Sequence, residues 1–158
     1  MTSPIQKIVL INAGVSAVWH TLTNPASMRQ WMGEPEMELE IHTNWQVNSP
    51  LSIHGFHHIK FETKGTVLQY EPNKRLRYIH LSSTSRLPDQ PHNYSVIEFL
   101  LTPLENQTEL SVTITQFPTE TIFKHLAFYW GATIYKLKAM IEKESTLPVA
   151  DNKSAAQD

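Results

Sequence analysis

One amphipathic stretch near the end of the chain, Thr119 to about Ser145, limits the folds open to it more than any other feature. Ile122, Leu126, Tyr129, Thr133, Leu137, Met140 and Ile141 recur at spacings of three and four, and Phe123, Trp130 and Ile134 widen the stripe. Lys124, Gly131, Lys138 and Glu142 fall on the opposite face. Thr119, after Pro118, suits an N-cap, and a helix of this length runs roughly 40 Å. So long an apolar stripe needs a large cover. Nearly everything before it reads as strand, so the expected cover is an antiparallel sheet bent around the helix.

The strands follow in order. Ile5 to Ile11 is rich in β-branched residues, and Val15, Val18, Trp19 and Leu22 then mark a short helix that ends near Asn24, because Pro25 disfavours helical geometry in the residue before it. Pro25 suits the first turn of a second short helix through about Trp31. Met37, Leu39 and Ile41 alternate with Glu36, Glu38 and Glu40, which predicts a half-buried strand with an acidic outer face. Asn48, Ser49 and Pro50 break the chain before a strand at Leu51 to Gly55; a turn near His57 and His58 leads to a longer strand from Ile59 to Tyr70. Leu76, Tyr78 and His80 alternate with Arg77, Ile79 and Leu81, so pattern alone leaves the inward face of that strand open. Thr84 to Asn93 is a loop long enough to form a functional rim. Ile97, Phe99 and Leu101 set a strand expected to stop at Pro103, and Leu110, Val112 and Ile114 the last one. The sum is an α+β architecture: a curved antiparallel sheet, two short helices after strand one, and a long C-terminal helix.

At 158 residues the chain fits one domain, residues 1–146, followed by a polar tail, 147–158, expected to be disordered. A formal net charge of −2 and one tight basic cluster, Lys74, Arg75 and Arg77, argue against nucleic acid. The absence of cysteine excludes disulfides and a thiolate nucleophile. No segment approaches the roughly 20 apolar residues that span a bilayer, and a soluble cytoplasmic protein is the expectation.

Several runs then look familiar. Val18-Trp19-His20-Thr21-Leu22-Thr23-Asn24-Pro25 with Trp31-Met32 resembles the opening of the activator-of-Hsp90-ATPase-like branch of the START-like (SRPBCC, Bet v 1-like) superfamily. Gly65-Thr66-Val67-Leu68 with Glu71-Pro72 and Arg75-Leu76-Arg77-Tyr78 is similar to its central strand pair. Glu98-Phe99-Leu100-Leu101-Thr102-Pro103 with Thr108-Glu109-Leu110 resembles its late hairpin, and Trp130-Gly131 with Ile134, Leu137 and Ile141 its closing helix. Asn48-Ser49 departs from the glycines usual there. The resemblance implies a helix-grip fold closed over an internal cavity. Many relatives bind hydrophobic small molecules there, some act on them chemically, and one eukaryotic subset serves Hsp90.

A curved sheet and one helix cannot interdigitate like flat layers, so residues between them either fill the space or line a pocket. The lining expected is Trp19, Trp31, Met37, Leu39, Tyr78, His80, Ile97, Phe99, Val112, Leu126, Tyr129, Trp130, Thr133 and Leu137; apolar residues at such spacings are otherwise ordinary core. Tyr129 and Thr133 put hydroxyls on the apolar helix face, where each needs a partner. If Tyr78 faces inward, as in the family's pattern, His80 does too, and its imidazole would orient a polar ligand or serve as a general base. Of the eight histidines, His54, His57 and His58 lie close in sequence, but no nearby carboxylate completes a metal set, and neither metal nor cofactor is expected. No catalytic constellation is identifiable, and Glu98 reads as solvated or paired across strands. A seam of Phe128, Ala132, Tyr135 and Ala139 suits self-association as a homodimer. The first functional reading is a non-catalytic protein that binds a lipid-like or other hydrophobic or amphipathic ligand. The alternatives are a cyclase- or hydrolase-like enzyme using the same cavity, and an Hsp90 co-chaperone-like module using the outer sheet and the Thr84 to Asn93 loop.

Overall fold

The computed structural model describes residues 3–146; the segment 147–158, expected to be a tail, lies outside the described residues. The elements are β1 (Ile5–Ile11), α1 (Val15–Thr23), α2 (Pro25–Met32), β2 (Glu40–Thr43), β3 (Pro50–His57), β4 (Ile59–Glu71), β5 (Arg75–Ser82), β6 (Ser95–Leu104), β7 (Gln107–Thr115) and α3 (Glu120–Thr146). Seven strands form one curved antiparallel sheet in the order β1-β7-β6-β5-β4-β3-β2. Strands β2 to β7 follow one another as a meander, with one long connection, residues 83–94, between β5 and β6, and β1 joins it beside the last strand. α3 covers one face.

Local chemistry explains the boundaries. The Thr119 hydroxyl caps α3 by accepting from the Ile122 N–H at 3.1 Å, and Asn24 caps α2 by accepting from the Ala26 N–H at 2.9 Å. Asn48, at φ 72°, and His58, at φ 68°, turn the chain on either side of β3, while Asn73, at φ 65°, turns β4 into β5. Asparagine tolerates that left-handed geometry, which is why the turn survives without glycine at position 48. Gly65 is different. A Cβ there would lie 2.2 Å from the Ile79 carbonyl oxygen, so β4 and β5 approach as closely as they do only because that position is bare.

Two strand expectations need correction. Met37 is not in a strand: Pro35–Met37 forms a 3-10 turn, Glu38 is left-handed at φ 49°, and β2 begins only at Glu40. Pro35 fixes helical φ at the turn's start, a local preference stronger than the alternation read across it. β6, in turn, does not stop at Pro103. It pairs with β7 through Leu104, whereas its pairing with β5 ends at Leu100, so Pro103 sits on a local edge that asks for no N–H.

The core lies between α3 and the strands beneath it. Leu110, Val112, Ile114 and Leu137 are 0% exposed, and Ile134 and Ile141 only 1%. Full burial of each such side chain contributes about 1.5–3 kcal/mol. β1 is the strand that α3 approaches most closely. Lys138 and Glu142 are accordingly not on a free outer face: Lys138 Nζ donates to the Leu10 carbonyl at 2.8 Å, Glu142 accepts from the Asn12 N–H at 2.8 Å, and the two side chains pair with each other. That pairing and the Asn12 N–H hold the Glu142 carboxyl below its ordinary pKa. On the other flank, Lys136 donates to the Gly33 carbonyl at 2.9 Å and to Glu34 at 3.0 Å, fixing α3 to the end of α2. No helix among the described residues is long and apolar enough to cross a membrane.

Candidate ligand-binding site

β5 settles its own face. Leu76 and Tyr78 are buried, at 1% and 3% exposure, and His80 follows on the same side, its ring 6.1 Å from that of Tyr78. Opposite them on β4 stand Tyr70, Val67 and Gly65, and on β6 Phe99, Ile97 and Ser95. None of these neighbours carries a charge.

The polar atoms on this face divide into two kinds. Tyr129 of α3 donates to the Met32 carbonyl at 2.6 Å and is hydrogen-bonded to Thr133, so both helix hydroxyls have protein partners. Burial pushes the Tyr129 phenol up to about 12. Tyr78 and His80 differ: among the described residues neither the Tyr78 hydroxyl nor either His80 ring nitrogen has a hydrogen-bond partner. They are not sealed, either. The one sealed side-chain polar atom without a hydrogen bond among the described residues is Arg75 Nε, which lies on the outer face 3.5 Å from Glu98.

His80 thus keeps a partly accessible ring while surrounding protein withholds enough solvation to lower its pKa to about 4. Desolvation of the charged form by the surrounding protein is the cause of that lowering. The Tyr78 phenol is pushed up by the same desolvation and, secondarily, by nearby Tyr129. Both groups are uncharged at neutral pH, and neither acquires charge easily.

The other expected lining residues separate by depth. Trp31, Ile97, Phe99, Val112 and Leu137 are at most 1% exposed, and Trp31 Nε1 donates to the Thr21 carbonyl at 2.9 Å. Trp19, Leu39, Leu126, Trp130 and Thr133 are buried at 3–9%, while Met37 and Tyr129 keep part of their surface. Trp130 stands between Trp31, at 5.9 Å, and Phe99, at 5.6 Å. Sequence reasoning missed an aromatic run beside Tyr78: Trp45 stacks on Tyr70 at 5.6 Å, Tyr70 meets Trp19 edge-on at 5.3 Å, and Trp45 Nε1 donates to the Thr23 carbonyl. A register shift between Val67 and Gln69 turns Tyr70 inward, and no simple alternation reveals such a shift.

Outside this region lie two surface grooves. One, of about 490 Å³, is bounded by Glu62, Lys64, Leu81 to Ser83 and Arg86 to Asp89; the other, of about 390 Å³, by Gln30, Ala139, Met140, Lys143 and Glu144. The histidines on the convex face have more acidic company than their sequence neighbours suggest. His54 lies 3.8 Å from Glu62, His42 lies 3.3 Å from Glu40, and the two rings are 5.5 Å apart. Among the described residues no group of three His, Asp or Glu side chains is placed to hold a metal.

The sequence model of the family described as activator of Hsp90 ATPase homolog 1-like protein matches residues 12–142. The chain belongs to that family. The match takes in the whole of the Tyr78 and His80 region and most of α3. Among solved structures, a protein from Cytophaga hutchinsonii is 29% identical, with a TM-score of 0.75 over 91% of this chain and 97% of that one. A protein from Chromobacterium violaceum, 17% identical, reaches the same TM-score over 88% and 96%. One from Mesorhizobium loti, 21% identical, gives 0.70 over 90% and 99%. The last two show likeness of fold alone. No curated protein matches the chain.

Proposed function

We propose that this member of the Hsp90-activator-like family binds a small, largely apolar and uncharged molecule between α3 and the inner face of β3 to β5, with residues 1–146 as the binding unit. The reading rests on Tyr78 and His80, whose side-chain polar atoms have no protein hydrogen-bond partner among the described residues and whose cross-strand neighbours carry no charge. A buried-side hydroxyl and a neutral imidazole without protein partners are inexpensive to desolvate only when a ligand supplies the missing bonds. Trp19, Phe99 and Trp130 provide apolar packing, while His80 and Tyr78 fix the polar end. A ligand bearing a net charge would find no counter-charge among the facing residues of β4 and β6.

Thermal shift against matched fatty alcohols, neutral phenols, fatty acids and quaternary amines tests this. The neutral compounds should raise the melting temperature, and His80→Leu should abolish the gain while leaving the unliganded protein folded. A flat response to every neutral compound would end the proposal. Proton transfer has weaker support: a base with a pKa of about 4 abstracts protons poorly, and no carboxylate orients His80 among the described residues. A co-chaperone-like role has its surface candidate in the groove of about 490 Å³ beside the Ser83 to Asp89 loop. Recovery of an Hsp90-type chaperone by the wild type, but not by Arg86→Glu, would favour that role over ligand binding.

A further inference from the structure

Phe128 is 83% exposed and Tyr135, two turns along the same helix, is 59% exposed, the two most exposed large apolar side chains among the described residues. Between and beyond them stand Ala132 and Ala139, also exposed. With about 100° of rotation per residue, these four positions fall within an arc of about 60°. The geometry points to a second copy of this chain as the partner, bound through antiparallel α3 helices with Phe128 of each seated over Ala139 of the other.

Two observations choose this occupant and this direction. First, a two-fold axis crossing α3 between Thr133 and Ile134 sets Phe128 against Ala139 and Ala132 against Tyr135, so that every contact is large on small and each contact occurs twice. A parallel pairing would instead set Phe128 on Phe128 and Ala132 on Ala132, leaving gaps beside collisions. Second, the groove of about 390 Å³ begins at Ala139 and continues along Met140 and Lys143, where it receives a ring arriving over Ala139. The patch is narrower than a standard stable interface, so the dimer forms with modest affinity. This inference is independent of the ligand proposal.

Sedimentation velocity from about 5 µM to about 1 mM should show the average mass climbing from 18.1 kDa toward twice that value. Phe128→Ser should raise the dissociation constant at least about tenfold without moving the melting temperature, because the side chain it replaces is mostly in water. Direction is tested separately, and the cysteine-free chain makes that simple. A short bismaleimide should couple Ala132→Cys to itself, since the partner position is offset by about 4.5 Å along the axis, but not Ala139→Cys, offset by about 16 Å. A monomer at every concentration overturns the dimer, as does a Phe128→Ser variant that associates like wild type. Coupling at both positions, or at position 139 alone, overturns the antiparallel register.

Discussion

β7 and β4 belong to one sheet and face the same way, yet their inner surfaces differ sharply. Thr108, Leu110, Val112 and Ile114 of β7 are all 0% exposed, whereas thirteen-residue β4 contains a single buried side chain, Val67. β7 lies between β1 and β6 beneath α3, where aliphatic layers close without remainder. β4 lies between β3 and β5, and its Phe61, Thr63 and Gly65 are only partly buried. One strand is sealed along its inner face, and the other keeps most of its side chains partly exposed.

The largest test of that contrast is a pair of truncations followed by urea unfolding. Leu110→Ala should cost about 2–5 kcal/mol, since it opens a hole in sealed packing, and Phe61→Ala, at a residue only partly buried, should cost less than about half as much. Equal costs would erase the distinction between the two strands. Next comes pH. The folded-state pKa of His80, about 4, lies below its ordinary 6.5, so between those values the unfolded chain binds the proton more readily. Stability is therefore complete above about pH 6.5 and falls as pH drops toward 4, by on the order of 3 kcal/mol. Subtracting the curve of His80→Gln should remove that component while the acid loss due to Glu142 remains in both proteins; an identical slope would place His80 in ordinary solvent. Smallest are two hydroxyl deletions. Tyr129→Phe should cost about 1 kcal/mol, because it strands the Met32 carbonyl, whereas Tyr78→Phe should be neutral or slightly stabilising in the absence of ligand. A substantial loss at Tyr78 would mean that its hydroxyl is already satisfied within the protein.

The packed region was legible from sequence and the accessible one less so, for a physical reason. α3 and β7 bury one face continuously, and such burial imprints a period on the residues. β4 faces partly exposed space on both sides, so its sequence carries little alternation, and the shift between Val67 and Gln69 breaks what there is. Tyr129 was identified as needing a partner, but the Met32 carbonyl lies 97 residues away and could not have been named in advance. His80 followed from Tyr78 once their common face was known. Its lack of partners is a property of everything packed around it and required the structure. The strand read at Met37 failed because Pro35 acts over three residues, a shorter range than any pattern.

The hold of α3 on the end of β1 reaches beyond its contribution to folding. An edge strand ordinarily offers its amides and carbonyls to any passing chain, and repeated acceptance of that offer is how sheets extend into fibres. Here the ammonium of Lys138 and the carboxylate of Glu142 occupy the Leu10 and Asn12 positions where such growth would begin, acting as a counterfeit neighbour with no further edge to copy. At the opposite margin β2 is only four residues long, too short a template to propagate.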